Sequence, residues 1–409
     1  MNSLSYKQKN ECICCESDDL ELLLDLGHQP LANSYTKEPN NLDLYPLGLN
    51  RCEDCYHLQL THIVPPDLLF KNYLYVSGTT KTLRDNFEWF SDLVLEYKPD
   101  MKNVLDIACN DGSQLDCFKK KGIETYGIDP AENLYKISSK NHNVICDYFH
   151  GGHYTDPYME RTWFDIITAQ NVFAHNENAY QFLKDCENIL APDGYVFIQT
   201  SQAEMILNNE FDTIYHEHLS FFNINSLNTL VHRTGFNLID VIKSPVHGTS
   251  YIFVLHKTKM KPSRIKNLLD LEESRGLHSL KTYEKYKDNV MKIKNDFKRE
   301  FFKYQASGYK TIGYGAAAKG MTFLNFCEGI NLDYIIDDNP MKHELYTPRT
   351  NIQIKPPEFL KSYTPEDKIL FIPLAWNFYE EIRGRILKVR ENPQDVFLKY
   401  FPHVEDERV

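Results

Sequence analysis

From about residue 102 the chain is built of short apolar runs that end in turns. Val104-Leu105-Asp106-Ile107-Ala108, Thr125-Tyr126-Gly127-Ile128-Asp129 and Phe164-Asp165-Ile166-Ile167-Thr168-Ala169 have the length and apolarity of strands buried on both faces. Asn143-Val144-Ile145-Cys146 adds another, and Gly194-Tyr195-Val196-Phe197-Ile198-Gln199 follows a Pro-Asp-Gly turn at 192–194. Helices between such strands predict a parallel sheet covered on both sides. Over residues 262–307 the apolar positions take helical spacing in a charged background, with no proline and no glycine cluster after Gly276, which predicts one or two long amphipathic helices. Strands then return at Lys310–Gly315, Asp333–Asp337 and Ile369–Ile372. The expected fold class is α/β, with two doubly wound, Rossmann-like domains and a small N-terminal module. The expected divisions are 1–70, 71–261, a helical connector at 262–308, and 309–409. The two α/β units could be a distant duplication, which the sequence alone does not prove.

Composition narrows the class. With 409 residues and 42% hydrophobic content the chain can bury more than one core. No stretch is apolar enough to span a bilayer, and Met1–Cys12 has no apolar core of a secretory signal. A net charge of −12 argues against nucleic acid or an anionic membrane as partner, though not against a small phosphorylated ligand. The ten cysteines are too sparse for a disulfide scaffold, so a reducing, cytoplasmic location is expected.

Cys12-Ile13-Cys14-Cys15 and Cys52-Glu53-Asp54-Cys55 each hold two thiols three positions apart. Two such pairs complete a tetrahedral four-thiolate shell, so Cys12, Cys15, Cys52 and Cys55 are expected to hold a structural zinc, with Cys14 turned away. The alternatives are free thiols or redox CxxC pairs. A closed zinc shell bears on folding rather than on chemistry.

Strand 104–108 runs into Cys109-Asn110-Asp111-Gly112, and the next strand ends in Asp129, where an acid suits two ribose hydroxyls. This resembles a class I methyltransferase that uses S-adenosylmethionine. The loop departs from that class: where a glycine-rich ExGxGxG is usual, Asp106–Gly112 has one glycine. By this resemblance Asp106 sits near the methionine amino group, Gly112 allows close approach of the cofactor, and Asp147 and Tyr148 meet the adenine. Ala108, Asn110, Asp111, Pro130, Gln170 and Asn171 complete the implied cofactor set.

Six motifs occur in order: Asp25-Leu26-Gly27-His28-Gln29-Pro30-Leu31-Ala32-Asn33-Ser34; Asn110-Asp111-Gly112; Ala169-Gln170-Asn171-Val172-Phe173-Ala174-His175; Tyr215-His216-Glu217-His218-Leu219-Ser220; His247-Gly248-Thr249-Ser250; and Gly313-Tyr314-Gly315-Ala316-Ala317-Ala318-Lys319-Gly320. Together they closely resemble the sugar C-methyltransferases, nearly end to end. The resemblance implies a nucleotide-linked 4-keto sugar (dTDP- or GDP-linked) as substrate. A proton next to the ketone is removed and the enolate attacks the cofactor methyl. It implies His218 as base, Tyr215 as donor to the keto oxygen and Glu217 as a partner of a sugar hydroxyl. Asn171 and His175 face them, Tyr75 (or Tyr73) closes over the pocket, and His216 points away. His216 and His218 could instead be a metal pair, but no third ligand is evident.

Gly313-x-Gly315-x-x-Ala318, with Asp337 ending the next strand, also fits a dinucleotide fingerprint, and alone it would argue for an NAD-linked oxidoreductase. By the resemblance this domain instead helps hold the nucleotide-sugar. Lys319 adds charge there or is simply solvated, and residues 246–250 lie near the interdomain cleft. A related O-methyltransferase is the remaining alternative. Nothing in the sequence suggests self-association, and a monomer is expected.

Overall fold

A computed structural model describes residues 6–70, 77–79, 81–154, 163–201, 204–244, 250–258 and 264–409. In the N-terminal module three strands, β1 (Leu20–Gln29), β2 (Tyr45–Cys52) and β3 (Leu58–Leu60), pair antiparallel. The fourth strand of that sheet, Ser220–Phe221, comes from far along the chain and pairs antiparallel with β3, Ser220 opposite Gln59 and Phe221 opposite Leu58.

The central sheet has seven strands. They are β4 (Asn103–Ile107), β5 (Glu124–Ile128), β6 (Asn143–Ile145), β7 (Phe164–Gln170), β8 (Leu190–Ser201), β9 (Asn237–Ser244) and β10 (Ser250–His256). Their order is β9-β10-β8-β7-β4-β5-β6. The five strands from β8 to β6 run parallel, and β10 is antiparallel to both its neighbours. The chain reverses from β7 to β4 to β5, which opens a crevice at the carboxyl ends of β4 and β7, where ligands bind in open α/β sheets. The Pro-Asp-Gly at 192–194 does not end an element. It lies inside β8, where Leu190 pairs with Phe164 and Tyr195 with Ile166, so the extra residues form a bulge.

The helical stretch divides at Gly276, whose φ of +82° ends one helix, α1 (Arg264–Ser274), before α2 (Leu280–Ala306) begins. The C-terminal sheet follows with β11 (Lys310–Tyr314), β12 (Tyr334–Ile336), β13 (Ile354–Lys355), β14 (Ile369–Pro373), β15 (Val396–Lys399) and β16 (Glu405–Arg408), in the order β13-β12-β11-β14-β15-β16. All its pairings are parallel except β15 with β16.

The units share their cores. Leu49, Leu58 and Leu60 of the module pack in one cluster with Ile214, Leu219 and Phe221, with Tyr286 and Phe297 of α2, and with Met321 and Phe323 of the C-terminal domain. No described helix is long and apolar enough to cross a membrane.

Candidate active site and metal centre

The four expected thiols come together. Cys12 and Cys55 sulfurs are 3.5 Å apart, as are those of Cys15 and Cys52, and all four lie within 4.8 Å of one another. A zinc ion with sulfur ligands at about 2.3 Å needs sulfurs at roughly this separation. The Cys14 amide donates to the Cys12 sulfur at 3.4 Å, a bond suited to a thiolate, so Cys14 supports the shell through its backbone. This tetrad is consistent with a zinc-binding domain.

One cavity of about 1120 Å³ runs from the module, through the crevice of the central sheet, to the glycine loop of the C-terminal domain. Of the residues expected to contact the cofactor, Asp106, Ala108, Asn110, Asp111, Asp129, Pro130, Asp147, Tyr148, Gln170 and Asn171 line it. Gly112 does not. A Cβ there would stand 2.9 Å from the His142 ring, so its missing side chain serves helix packing.

The loop after β4 keeps a glycine-like backbone with few glycines. Ala108, Asn110 and Gly112 have φ of +59°, +51° and +84°. These are the alternate positions at which a GxGxG loop places glycine. Asn110 tolerates this region by hydrogen bonding locally, its Oδ1 accepting from the Asp111 amide at 2.9 Å, and it also accepts from the distant Ser77 amide at 3.1 Å. Ala108 has no such help and carries the strain. Asp111 latches the same loop, accepting from the amides of Gly78 (3.0 Å) and Ser113 (3.1 Å).

The two acids differ in their environments. Asp106 is buried and accepts only from the Thr168 hydroxyl among its described partners, at 2.6 Å. Burial pushes its carboxyl up to about 7, Thr168 holds it down, and nearby Asp129 adds repulsion. Asp129 accepts one amide on each oxygen, Asn110 at 2.9 Å and Ala131 at 2.8 Å. Burial raises it too, and those amides oppose the rise. Asp337 repeats the device in the C-terminal domain, accepting from the amides of Ala316 (2.6 Å) and Asn339 (2.8 Å). Each α/β unit thus ties its first loop to the acid that ends its second strand.

Across the cavity, Tyr215, His218, His175 and Asn171 line the wall. The Tyr215 hydroxyl is 2.8 Å from His218 Nε2, and His218 Nδ1 is 2.9 Å from the Thr213 carbonyl. His175 stands with its ring 5.2 Å from that of His218 and is stacked under Phe70 at 5.5 Å. Burial pushes His175 down to about 4, so it is a neutral imidazole at pH 7.

Glu217 sits one layer back. It is buried, does not line the cavity, and accepts from the Asn33 amide at 2.6 Å, while Asn33 itself lines the cavity. His216 is buried against the edge of Tyr45 and lies outside the lining. Tyr75, Tyr73, His247, Gly248 and Thr249 lie outside the described residues.

The Tyr215–Ser220 segment is held by the zinc module as well as by its neighbours in sequence. Leu60 donates its amide to the Leu219 carbonyl, Ser220–Phe221 pairs with β3, and buried His57 bonds the hydroxyls of Ser220 and Ser226. β3 begins three residues after Cys55, so the strand that anchors this segment lies next in sequence to the second thiol pair.

Lys319 is not a solvated lysine. Its side chain is 15% exposed, with Nζ 3.7 Å from Glu210 Oε2 and 4.7 Å from the centre of the Trp376 ring. The neighbouring Asp212 is buried and accepts from Trp376 and Tyr400.

Two lining residues carried no usable sequence signal. Gln199, at 1% exposure near the end of β8, has neither amide atom hydrogen-bonded among the described residues. Asn33 lay in a quoted motif without a role.

Comparison with known proteins accounts for almost the whole chain. The family model "Putative zinc binding domain" matches residues 12–70, "Methyltransferase domain" residues 80–241, and "C-methyltransferase C-terminal domain" residues 245–401. The last begins before β10 and so takes in one strand of the central sheet. C-methyltransferase NovU of Streptomyces niveus is 28% identical over 94% of this chain and 93% of its own. A ubiquinone biosynthesis O-methyltransferase of Glaesserella parasuis serovar 5 (strain SH0165) is 33% identical over 24% of this chain and 45% of its own. Among solved structures, the magnesium protoporphyrin IX methyltransferase of Synechocystis PCC 6803 covers 43% of this chain and 79% of its own at a TM-score of 0.32 and 12% identity.

Proposed function

The chain belongs to the C-methyltransferase family, a SAM-dependent enzyme with a zinc-binding domain at its N-terminus, and on that premise we propose that it methylates carbon next to the ketone of a nucleotide-linked 4-keto sugar. One observation carries this reading: a single cavity joins the cofactor loop, the Tyr215–His218 pair and the C-terminal glycine loop. A methyl donor, a proton acceptor and a phosphate-compatible turn then face one substrate.

S-adenosylmethionine supplies an electrophilic methyl when bound. Asp106 would hold its ammonium and Asp129 its ribose, both acids lining the cavity. His218 Nε2 takes the proton from the carbon beside the ketone. Its Nδ1–H, held by the Thr213 carbonyl, keeps that nitrogen basic. The Tyr215 hydroxyl leaves Nε2 as substrate enters and donates to the keto oxygen, where charge develops. Gln199 offers a second donor, a buried amide with no partner among the described residues. Neutral His175 orients the sugar, and Glu217 holds Asn33 to it. The glycine turn at Gly315 (φ +89°), with Lys342 and Arg385 in the lining, suits the diphosphate. The glycine loop thereby serves substrate binding, and the oxidoreductase reading is not carried further.

The test is methyl transfer from SAM to a panel of dTDP-, GDP- and UDP-linked 4-keto sugars, with product mass recorded. One added methyl on carbon, with solvent deuterium entering the substrate at the same position when SAH replaces SAM, is expected. Methylation at oxygen without exchange would overturn the reading.

A further inference from the structure

Beyond β6 the chain reads Asp147-Tyr148-Phe149-His150-Gly151-Gly152-His153. The three potential ligands are each three residues apart. That spacing matches the three-residue period of a 3₁₀ turn, on which such side chains eclipse. A 3₁₀ turn forms at Gly151–Tyr154, and the His153 amide bonds the His150 carbonyl at 3.3 Å, which ties the two histidines together, while Asp147 precedes the turn. The ligand atoms of Asp147, His150 and His153 accordingly lie within 4.8 Å of one another. The two imidazoles stack at 3.7 Å, and His153 Nε2 is 3.5 Å from Asp147 Oδ2. Gly152 is what lets the His150 ring fold in, since a Cβ there would stand 2.9 Å from its Nδ1. This cluster is separate from the four thiols, and its two histidines take no part in the reaction described above.

We propose that Asp147, His150 and His153 form a second metal site, for a divalent transition ion such as zinc or nickel, on the rim of the cofactor cavity. Two imidazoles and one carboxylate suit a borderline ion, whereas calcium and magnesium prefer all-oxygen shells. Asp147 and His150 are exposed, so water completes the coordination and the ion exchanges with solvent. Asp147 also lines the cofactor cavity. On the reading that its carboxylate meets the cofactor, ion and cofactor compete for it, and each weakens the other by the same factor.

The test uses the full chain carrying one zinc. Nickel is titrated calorimetrically in a non-coordinating buffer, with and without SAH. One further nickel per chain is expected, lost in His150→Ala with His153→Ala and weakened in Gly152→Ala, while zinc content stays at one. SAH should weaken nickel binding several-fold. No further nickel in the wild type, or equal uptake by the double variant, would overturn the site. Equal nickel affinity with and without SAH would overturn the competition, and this leaves methyl transfer to be judged by its own assay.

Discussion

The Tyr215 hydroxyl and His218 Nε2 are 2.8 Å apart, on a ring whose other nitrogen is 2.9 Å from the Thr213 carbonyl. A carbonyl only accepts, so Nδ1 carries the proton and Nε2 accepts from the tyrosine. That tautomer is the one the proposed proton transfer from the substrate carbon to Nε2 requires.

His218→Ala should therefore lower kcat by about 10²- to 10⁴-fold, the usual range for a lost general base. SAH affinity should stay near wild type. Tyr215→Phe should lower kcat less and slow solvent deuterium exchange at the substrate carbon. Steady-state rates, SAH calorimetry and mass-detected exchange check both. Near-normal turnover of His218→Ala would remove the histidine from the mechanism.

Asp106 gives a pH signature. Its folded carboxyl titrates near 7, above its unfolded value, so the folded state holds an extra proton between about pH 4 and 7. Its contribution to stability is present below pH 4 and fades as pH rises through 7, by an amount on the order of a few kcal/mol. Asp106→Asn should flatten that part of the denaturant-midpoint profile. A bound ammonium favours the ionised carboxylate, so SAM binding at pH 6.5 should release a fraction of a proton. Calorimetry in buffers of different ionisation enthalpy reads it, and Asp106→Asn should abolish it.

Cys52→Ser should lose zinc and, with it, activity. β3 anchors Ser220–Phe221, and that anchor positions His218. Elemental analysis beside kcat checks the link. A folded, zinc-free variant with wild-type kcat would break it.

The cofactor loop predicts opposite effects two turns of backbone apart. Ala108→Gly relieves a left-handed alanine and should be neutral or stabilising by up to about 1 kcal/mol. Gly112→Ala adds a Cβ at φ +84° against His142 and should cost about 1–2 kcal/mol or more. Denaturant unfolding of both variants measures this.

The sequence by itself determined the two α/β units, the four zinc thiols and the motifs that mark the site. Strand periodicity, CxxC spacing and loop residues are local properties, and local sterics and ligand geometry fix them. Tertiary structure alone decided that Tyr215–Ser220 leads into a strand of the zinc module, that Glu217 stands behind Asn33, and that Lys319 is half-buried beside Glu210. It also decided that Gly112 meets His142 and that Gln199 faces the cavity without a partner. These depend on which distant segments share a core: Leu60 with Leu219, and Trp376 with Asp212. No pattern within a window of sequence encodes such a pairing, because its free energy appears only when both segments leave water together.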